Sequence, residues 1–460
     1  MVKLLLKQIA EKMDGKIIHG DPSSKFQHYS IDSRKMRKGS LFFALRDKRD
    51  GHDFIPDAVK NGAKGIVVSR QVPFTKHQIA FIKVDNTLKA LQRLAHQVFL
   101  DHPVKVVGIT GSIGKTTTKE FTSALLKTKY HPLKSEGNFN NHIGLPLSLL
   151  KIKKNHDIAI LEYGMNHPGE ISSLTRIAKP DIAVICNVYP VHMEFFKDIQ
   201  EIAEAKKEIL VGMNPDGRPV LNGDQSLVLN MIKSLKTRPV LFGFTEKCEV
   251  RASNIRIHSL EKMSFDFLYK GRKARASIPF SNRGHLYNFL AAAGIASILS
   301  VPFEEILKTG KKLKPFKNRG EVLYLKKNIK IINDSYNSNP AALEQALNSL
   351  SIQEGGRKIA VLGDMLELGK KQKSYHTAAG KSVAENKIDV LITIGPLAKY
   401  IAQGALNSGL PSHKIITFND SEEAAKEIPN LLEKNDLVLI KGSRGVRTEK
   451  VIKALKKEGV

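Results

Sequence analysis

Tryptophan is missing from this 460-residue chain, and cysteine occurs only twice, as Cys186 and Cys248. Two cysteines without metal-ligand spacing build neither a disulfide framework nor a zinc site, so both are expected as structural thiols in a reducing compartment. Aromatic residues amount to 7% and do not interleave with a basic stripe, which argues against a nucleic-acid partner. No run reaches the ~18 apolar residues that a membrane span needs, and the apolar start is too short and interrupted for a signal peptide. A cytoplasmic protein without membrane insertion is expected. Neither an internal repeat nor a low-complexity tract is present, which removes solenoids and disordered scaffolds. A serine-hydrolase elbow and a Cys/His arrangement of recognisable spacing are also lacking.

Acidic residues are the minority charge, 45 against 73 Lys and Arg, for a net charge of +28. Such an excess suits anionic ligands, nucleic acid or a membrane surface and does not choose among them. No basic tail concentrates it, so lysines scattered over solvated faces account for it equally well.

What the chain does have is 42% hydrophobic residues over a length beyond the ~250–300 residues at which single cores stop growing, so two or three domains are expected. Residues 1–86 mix strand-like runs, Ser40 to Leu45 and Gly65 to Ser69, with helical stretches, a small α/β unit. Residues 87–314 open on a helical stretch and then carry apolar strand candidates at Val104 to Ile109, Asp157 to Leu161 and Asp181 to Ile185. Helical segments alternate with these runs, the signature of a parallel sheet covered by helices. Beyond Lys314, residues 315–460 repeat the alternation at Lys358 to Leu362, Asp389 to Ile394 and Asp436 to Ile440, a Rossmann-like doubly wound unit.

The sharpest motif is Gly108-Ile-Thr-Gly-Ser-Ile-Gly-Lys-Thr-Thr-Thr118, lying where a strand gives way to a helix. Gly111 and Gly114 free the backbone of Ser112 to Thr117 to turn N–H groups toward phosphate oxygens. Lys115 adds a point charge, and Thr116 offers a hydroxyl to Mg²⁺. The competing reading is a glycine turn with a surface lysine, which does not require a strand before and a helix after. Glu162 ends the next strand candidate and supplies the hard oxygen that magnesium takes. His192 follows the strand after that, on the same carboxyl edge where open α/β sheets bind ligands.

With these segments in view, the chain resembles the Mur ligases along nearly its whole length, and within them the branch that adds a dipeptide. Ile31-Asp-Ser-Arg34 and the segments after it are similar to the family's amino-terminal domain, which implies that Ser33 and Arg34 hold the uridine diphosphate of the substrate. Gly137-Asn-Phe-Asn-Asn141 resembles the asparagine-rich segment beside the substrate, implying Asn138 and Asn141. The resemblance assigns Glu162 and His192 to metal, and Lys206 to a position carbamylated in many members. Asn288 is implied at adenine.

In the last unit, Asn318-Arg-Gly-Glu321 implies that Arg319 reaches toward the γ-phosphate on domain closure. Asn333-Asp-Ser-Tyr-Asn-Ser-Asn-Pro340 implies Asp334 at the ribose, Tyr336 on adenine, and Asn337 and Asn339 at the substrate. The expected reaction uses ATP and Mg²⁺ to activate the terminal carboxylate of UDP-N-acetylmuramoyl-tripeptide as an acyl phosphate, which the amine of D-alanyl-D-alanine attacks; a monomer is expected. The alternatives are another Mur or folylpolyglutamate-type amide ligase, and a basic P-loop NTPase that binds nucleic acid.

Overall fold

Each apolar run that opens on an aspartate becomes a parallel strand in the computed structural model of the chain, which describes residues 2–72 and 79–458. The strands begin one residue late, at Ile158–Glu162, Ile182–Ile185, Val390–Ile394 and Leu437–Lys441. The cause is local. Asp157, Asp181 and Asp389 accept from the backbone N–H of His131 (2.9 Å), Val106 (2.7 Å) and Lys358 (2.8 Å), on neighbouring strands or their approaches. Asp436 pairs with Arg357 and accepts from the N–H of Glu433. A donor at the end of a ladder has no strand partner, and leaving it unpaired inside the protein is costly, so an acidic side chain completes it.

Three main sheets define three α/β units. In the first, Lys16–His19, Ala80–Lys83, Ala63–Val68, Ser40–Phe43 and Tyr29–Ser30 lie in that order, parallel except for the first pair. Helix Thr87–Leu100 follows, capped by Asn86, whose side chain accepts from the N–H of Leu88 and Lys89. Its Leu91 and Leu94 join one apolar cluster with Ile9 and Leu41 of the first unit and with Leu145 and Leu149 of the second. This helix therefore packs the two units together.

The second sheet has nine strands. Its order runs Pro132–Lys134, Ile158–Glu162, Lys105–Thr110, Ile182–Ile185, Arg218–Asn222 and Val240–Gly243, all parallel. The chain crosses from one side of Lys105–Thr110 to the other, so the loop after that strand sits at a topological switch point. The sheet is not parallel throughout, which corrects the expectation. Val250–Ser259 joins parallel, and then Lys262–Tyr269 and Arg272–Ile278 add antiparallel strands. These added strands alternate buried and open residues, as in a sheet with one solvated face. On the covered face Phe265 and Phe267 pack on Phe289 of the helix Arg283–Ile298.

The third sheet orders Glu321–Tyr324, Lys330–Asp334, Leu437–Lys441, Lys358–Gly363, Val390–Ile394 and Ile415–Phe418, parallel apart from its first strand. One apolar cluster with Leu347, Val383 and Ile401 covers one face, and another with Ile428, Val451 and Leu455 covers the other, so this unit is doubly wound. The second unit docks on it through the turn at Leu260, which is buried in the first of those clusters. Tyr324 donates its hydroxyl to Glu261 beside that turn. Among the described residues, no helix is long and apolar enough to cross a membrane.

Candidate active site

The loop after Lys105–Thr110 turns into helix Lys115–Leu126 through Gly114, whose φ of 85° is left-handed. A Cβ there would lie 2.2 Å from Asn288 Oδ1, so backbone conformation and space both require glycine. The segment after the neighbouring strand fixes the loop. Asn187 accepts from the N–H of Ile113 (2.9 Å) and donates to its carbonyl (3.0 Å), while Ser112 Oγ donates to the Tyr189 carbonyl (3.0 Å). Lys115 folds its Nζ back onto the Gly111 carbonyl at 2.6 Å. Burial lowers the Lys115 pKa, opposed by the charge of Glu162 and reinforced by that of Arg319.

Thr116 is a junction. Its hydroxyl donates to Glu162 Oε2 at 3.2 Å and accepts from Arg319 Nη2 at 3.2 Å, so the second and third units meet at one side chain. Glu162 is 1% exposed, and Lys119 Nζ lies 2.9 Å from its Oε1. That approach is out of line for a hydrogen bond, and Oε1 has no donor. The Thr116 hydroxyl and the Glu162 carboxylate are the hard ligands that Mg²⁺ accepts, with phosphate and water completing its shell. Among the described residues, no group of three or more His, Cys, Asp or Glu would hold a metal by itself. The residues therefore fit a magnesium ion that arrives with a nucleotide.

His192 lines the same cleft in a left-handed conformation, φ 55°, with Nδ1 2.6 Å from Glu367 Oε2 of the third unit. The hydrogen bond from His192 holds the Glu367 carboxyl below its ordinary range. Lys206, on helix Ile199–Val211, is 2% exposed. Burial first, and then the charge of Lys115, hold its pKa well below the usual lysine value.

On the opposite wall, the Arg319 guanidinium lies 3.9 Å from the centre of the Tyr336 ring. Asp334 forms an ion pair with Lys441 at 2.6 Å, and the same ammonium donates to the Asn337 carbonyl at 3.0 Å. Asn318, just before Arg319, has φ 62°, a conformation that asparagine tolerates better than most side chains. Gly320 follows at φ 72°, and a Cβ there would stand 2.7 Å from His285 Cε1.

The walls enclose about 420 Å³, within the range of nucleotide-sized pockets. Ser112, Gly114 and Thr117 line it from the loop, Asn138 from the asparagine-rich segment, and Asn288 from its helix; Asn337 and Asn339 line it from the third unit. Asn339 also caps helix Pro340–Ser351 by accepting from Ala342. Other expected contacts differ from the expectation. Asn141 caps helix Gly144–Leu149, accepting from Ile143 and Gly144, and Asn140 takes the place on the cleft wall. Asn288 touches the phosphate loop, accepting from Thr118 Oγ1 at 3.2 Å. Ser33 is buried and Arg34 is exposed on Asp32, both in the first unit, from which no described residue lines the cleft. Lys119, Asn187, Glu367 and Lys441 stand at the site without being among the expected site residues. Lys119 carries a signal in its spacing of three and four residues from Thr116 and Lys115 on one helix face, and the other three lie in segments 187–192, 361–369 and 441–445 that also resemble the family.

A phosphate loop at a switch point, faced by the basic residues of a second α/β unit, is the arrangement of an enzyme that binds a nucleotide between two units. Family models then match in order along the chain: the Mur ligase family catalytic domain at residues 25–99, the Mur ligase middle domain at 109–296 and the Mur ligase glutamate ligase domain at 318–444. A UDP-N-acetylmuramoyl-tripeptide--D-alanyl-D-alanine ligase of Bacillus subtilis is 35% identical over 458 residues, 99% of either chain. Among solved structures, MurF from Acinetobacter baumannii superposes with a TM-score of 0.90 at 28% identity, covering 99% of both chains. The MurF ligase of Thermotoga maritima in complex with ADP superposes with a TM-score of 0.81 at 31% identity, covering 94% of this chain and 97% of its own. The chain belongs to the Mur ligase family.

Proposed function

We propose that the chain joins D-alanyl-D-alanine to UDP-N-acetylmuramoyl-tripeptide, driven by ATP, to give the pentapeptide precursor of peptidoglycan. The observation that carries this reading is the meeting of Lys115, Glu162 and Arg319 around Thr116, in a chain similar from end to end to a ligase of that name. The enzyme acts as a monomer in the cytoplasm, where ATP and the uridine-linked substrate are found. Residues 1–86 hold the uridine diphosphate through Ser33 and Arg34, residues 87–314 hold ATP, and residues 315–460 close over both.

Phosphoryl transfer asks a protein mainly for positioning and charge neutralisation. Lys115 and the N–H groups of residues 111–117 neutralise the outer phosphates, and Asn138, Asn337 and Asn339 orient the tripeptide carboxylate. Thr116 and Glu162, with His192 on the same edge, would hold Mg²⁺, which when bound would supply Lewis-acid neutralisation of the phosphate oxygens. A carboxylate oxygen attacks the γ-phosphorus, the bond to ADP breaks, and an acyl phosphate results. The dipeptide amine then adds to the acyl carbon, inorganic phosphate leaves with that oxygen, and the amine proton goes to solvent. Arg319 is delivered by closure; in leaving the Tyr336 ring for the γ-phosphate it frees that ring for adenine, while Asp334 takes the ribose hydroxyls. Burial, and then the charge of Lys115, lower the Lys206 pKa, which favours the free amine that reaction with carbon dioxide requires and so supports its carbamylation.

Tripeptide labelled with ¹⁸O in its terminal carboxylate tests the route. One labelled oxygen is expected in the released phosphate for each amide formed; unlabelled phosphate contradicts an acyl phosphate.

A further inference from the structure

Behind Glu162 lies a cation that does not line the cleft. Lys119, one turn past Lys115 on the same helix, is fully buried, with Nζ 2.9 Å from Glu162 Oε1 and donating to the Gly137 carbonyl at 2.9 Å. Glu120 approaches the same ammonium at 3.7 Å, but it is also paired with Lys134. Among the described residues, Lys119 is the only cation in ion-pair contact with Glu162. The carboxylate is thus divided. Oε2 faces the Thr116 hydroxyl on the cleft side, and Oε1 faces Lys119.

A carboxylate that is 1% exposed is costly to bury without a partner charge, and the Lys119 ammonium stands 2.9 Å from it. Before any metal arrives, Lys119 is that partner. Once a dication approaches Oε2, the same ammonium lies across one carboxyl group from it, and like charges repel strongly in a dry interior. Lys115 adds to the repulsion from the loop side. A metal already bound to a triphosphate carries net negative charge and is instead attracted by both lysines.

We propose that Lys119 is a positioning residue, the resident counter-cation of Glu162, which keeps the carboxylate in place without metal and makes metal entry depend on nucleotide. This rests on the reading of Glu162 as a metal ligand. Through Gly137, the same ammonium ties the segment bearing Asn138 and Asn140 to that carboxylate.

The test uses Mn²⁺ as the probe, read by electron paramagnetic resonance on the full chain, with and without a non-hydrolysable ATP analogue, and with thermal unfolding as a check on folding. Wild type is expected to bind Mn²⁺ tightly only with the nucleotide. Lys119→Met is expected to bind nucleotide-free Mn²⁺ about ten-fold tighter or more, Lys119→Arg to behave as wild type, and the double variant with Glu162→Gln to lose the gain. If Lys119→Met does not fold, Lys119→Gln, which keeps a donor for Gly137, carries the same expectation. Unchanged or weaker nucleotide-free binding in the neutral variant overturns the role of Lys119. Nucleotide-dependent Mn²⁺ binding that survives Glu162→Gln overturns the metal reading of Glu162 itself.

Discussion

At Lys115 a single ammonium, already partly stripped of water, stands where the transferred phosphate must sit. Its bond to the Gly111 carbonyl parks it within the loop, and the exchange of that carbonyl for phosphate oxygens gains a charge-assisted contact. Lys115→Ala is therefore expected to lower kcat/KM by roughly 10³-fold or more while leaving the unfolding temperature near wild type. Steady-state kinetics with calorimetry checks this, and retained turnover would contradict the loop's role. Residues of this kind are legible in the sequence because their chemistry is tied to spacing: a glycine turn, a lysine and a hydroxyl in succession predict the phosphate loop. Partnerships across the fold are not legible in that way. His192 and Glu367 are 175 positions apart, and nothing around either residue announces the other. The two cysteines match their expectation as structural thiols, since burial pushes both up to about 11 and leaves them thiols at neutral pH.

Elements, unlike residues, were mostly legible from apolar runs, because strands buried on both faces read as continuous hydrophobic stretches. The extension Val250–Ser259 to Arg272–Ile278 is less legible, because its alternating pattern is weaker and its faces differ. That extension matters for function, since its Leu260 turn is what docks the third unit. The connection between the second and third units ends at Asn318 and Gly320, two left-handed positions flanking Arg319. Gly320→Ala adds a Cβ against His285 at a φ disfavoured for alanine, and the strain falls on Arg319, which reaches Thr116 from the third unit. The expected outcome is the profile of Arg319→Ala: kcat falls at least roughly ten-fold, with ATP affinity of the open form within about two-fold of wild type. Equal losses in turnover and in ATP binding, measured by calorimetric titration, would show that Arg319 is not delivered by closure.

Over the whole molecule, three sheets are joined by few polar links, and the cleft lies where the second and third units face each other. The Ser281–Ser349 and Tyr324–Glu261 hydrogen bonds and the His192–Glu367 pair span this boundary along with Arg319. Links of this size suit units that move relative to each other. The first unit contributes no described residue to the cleft, so a substrate that touches both must be long, as a nucleotide-linked peptide is. A net charge of +28 exceeds what the phosphates and carboxylate of such a substrate require, and nothing in the fold explains the surplus. The central claim is that ATP phosphorus passes to a peptide carboxylate and is displaced by a dipeptide amine. The most direct measurement is phosphate release from ATP with UDP-N-acetylmuramoyl-tripeptide, comparing D-alanyl-D-alanine with single amino acids as acceptor. One phosphate per amide, and only with both the tripeptide and the dipeptide present, is the predicted result; sustained release without the tripeptide, or equal rates with a single amino acid, would contradict it.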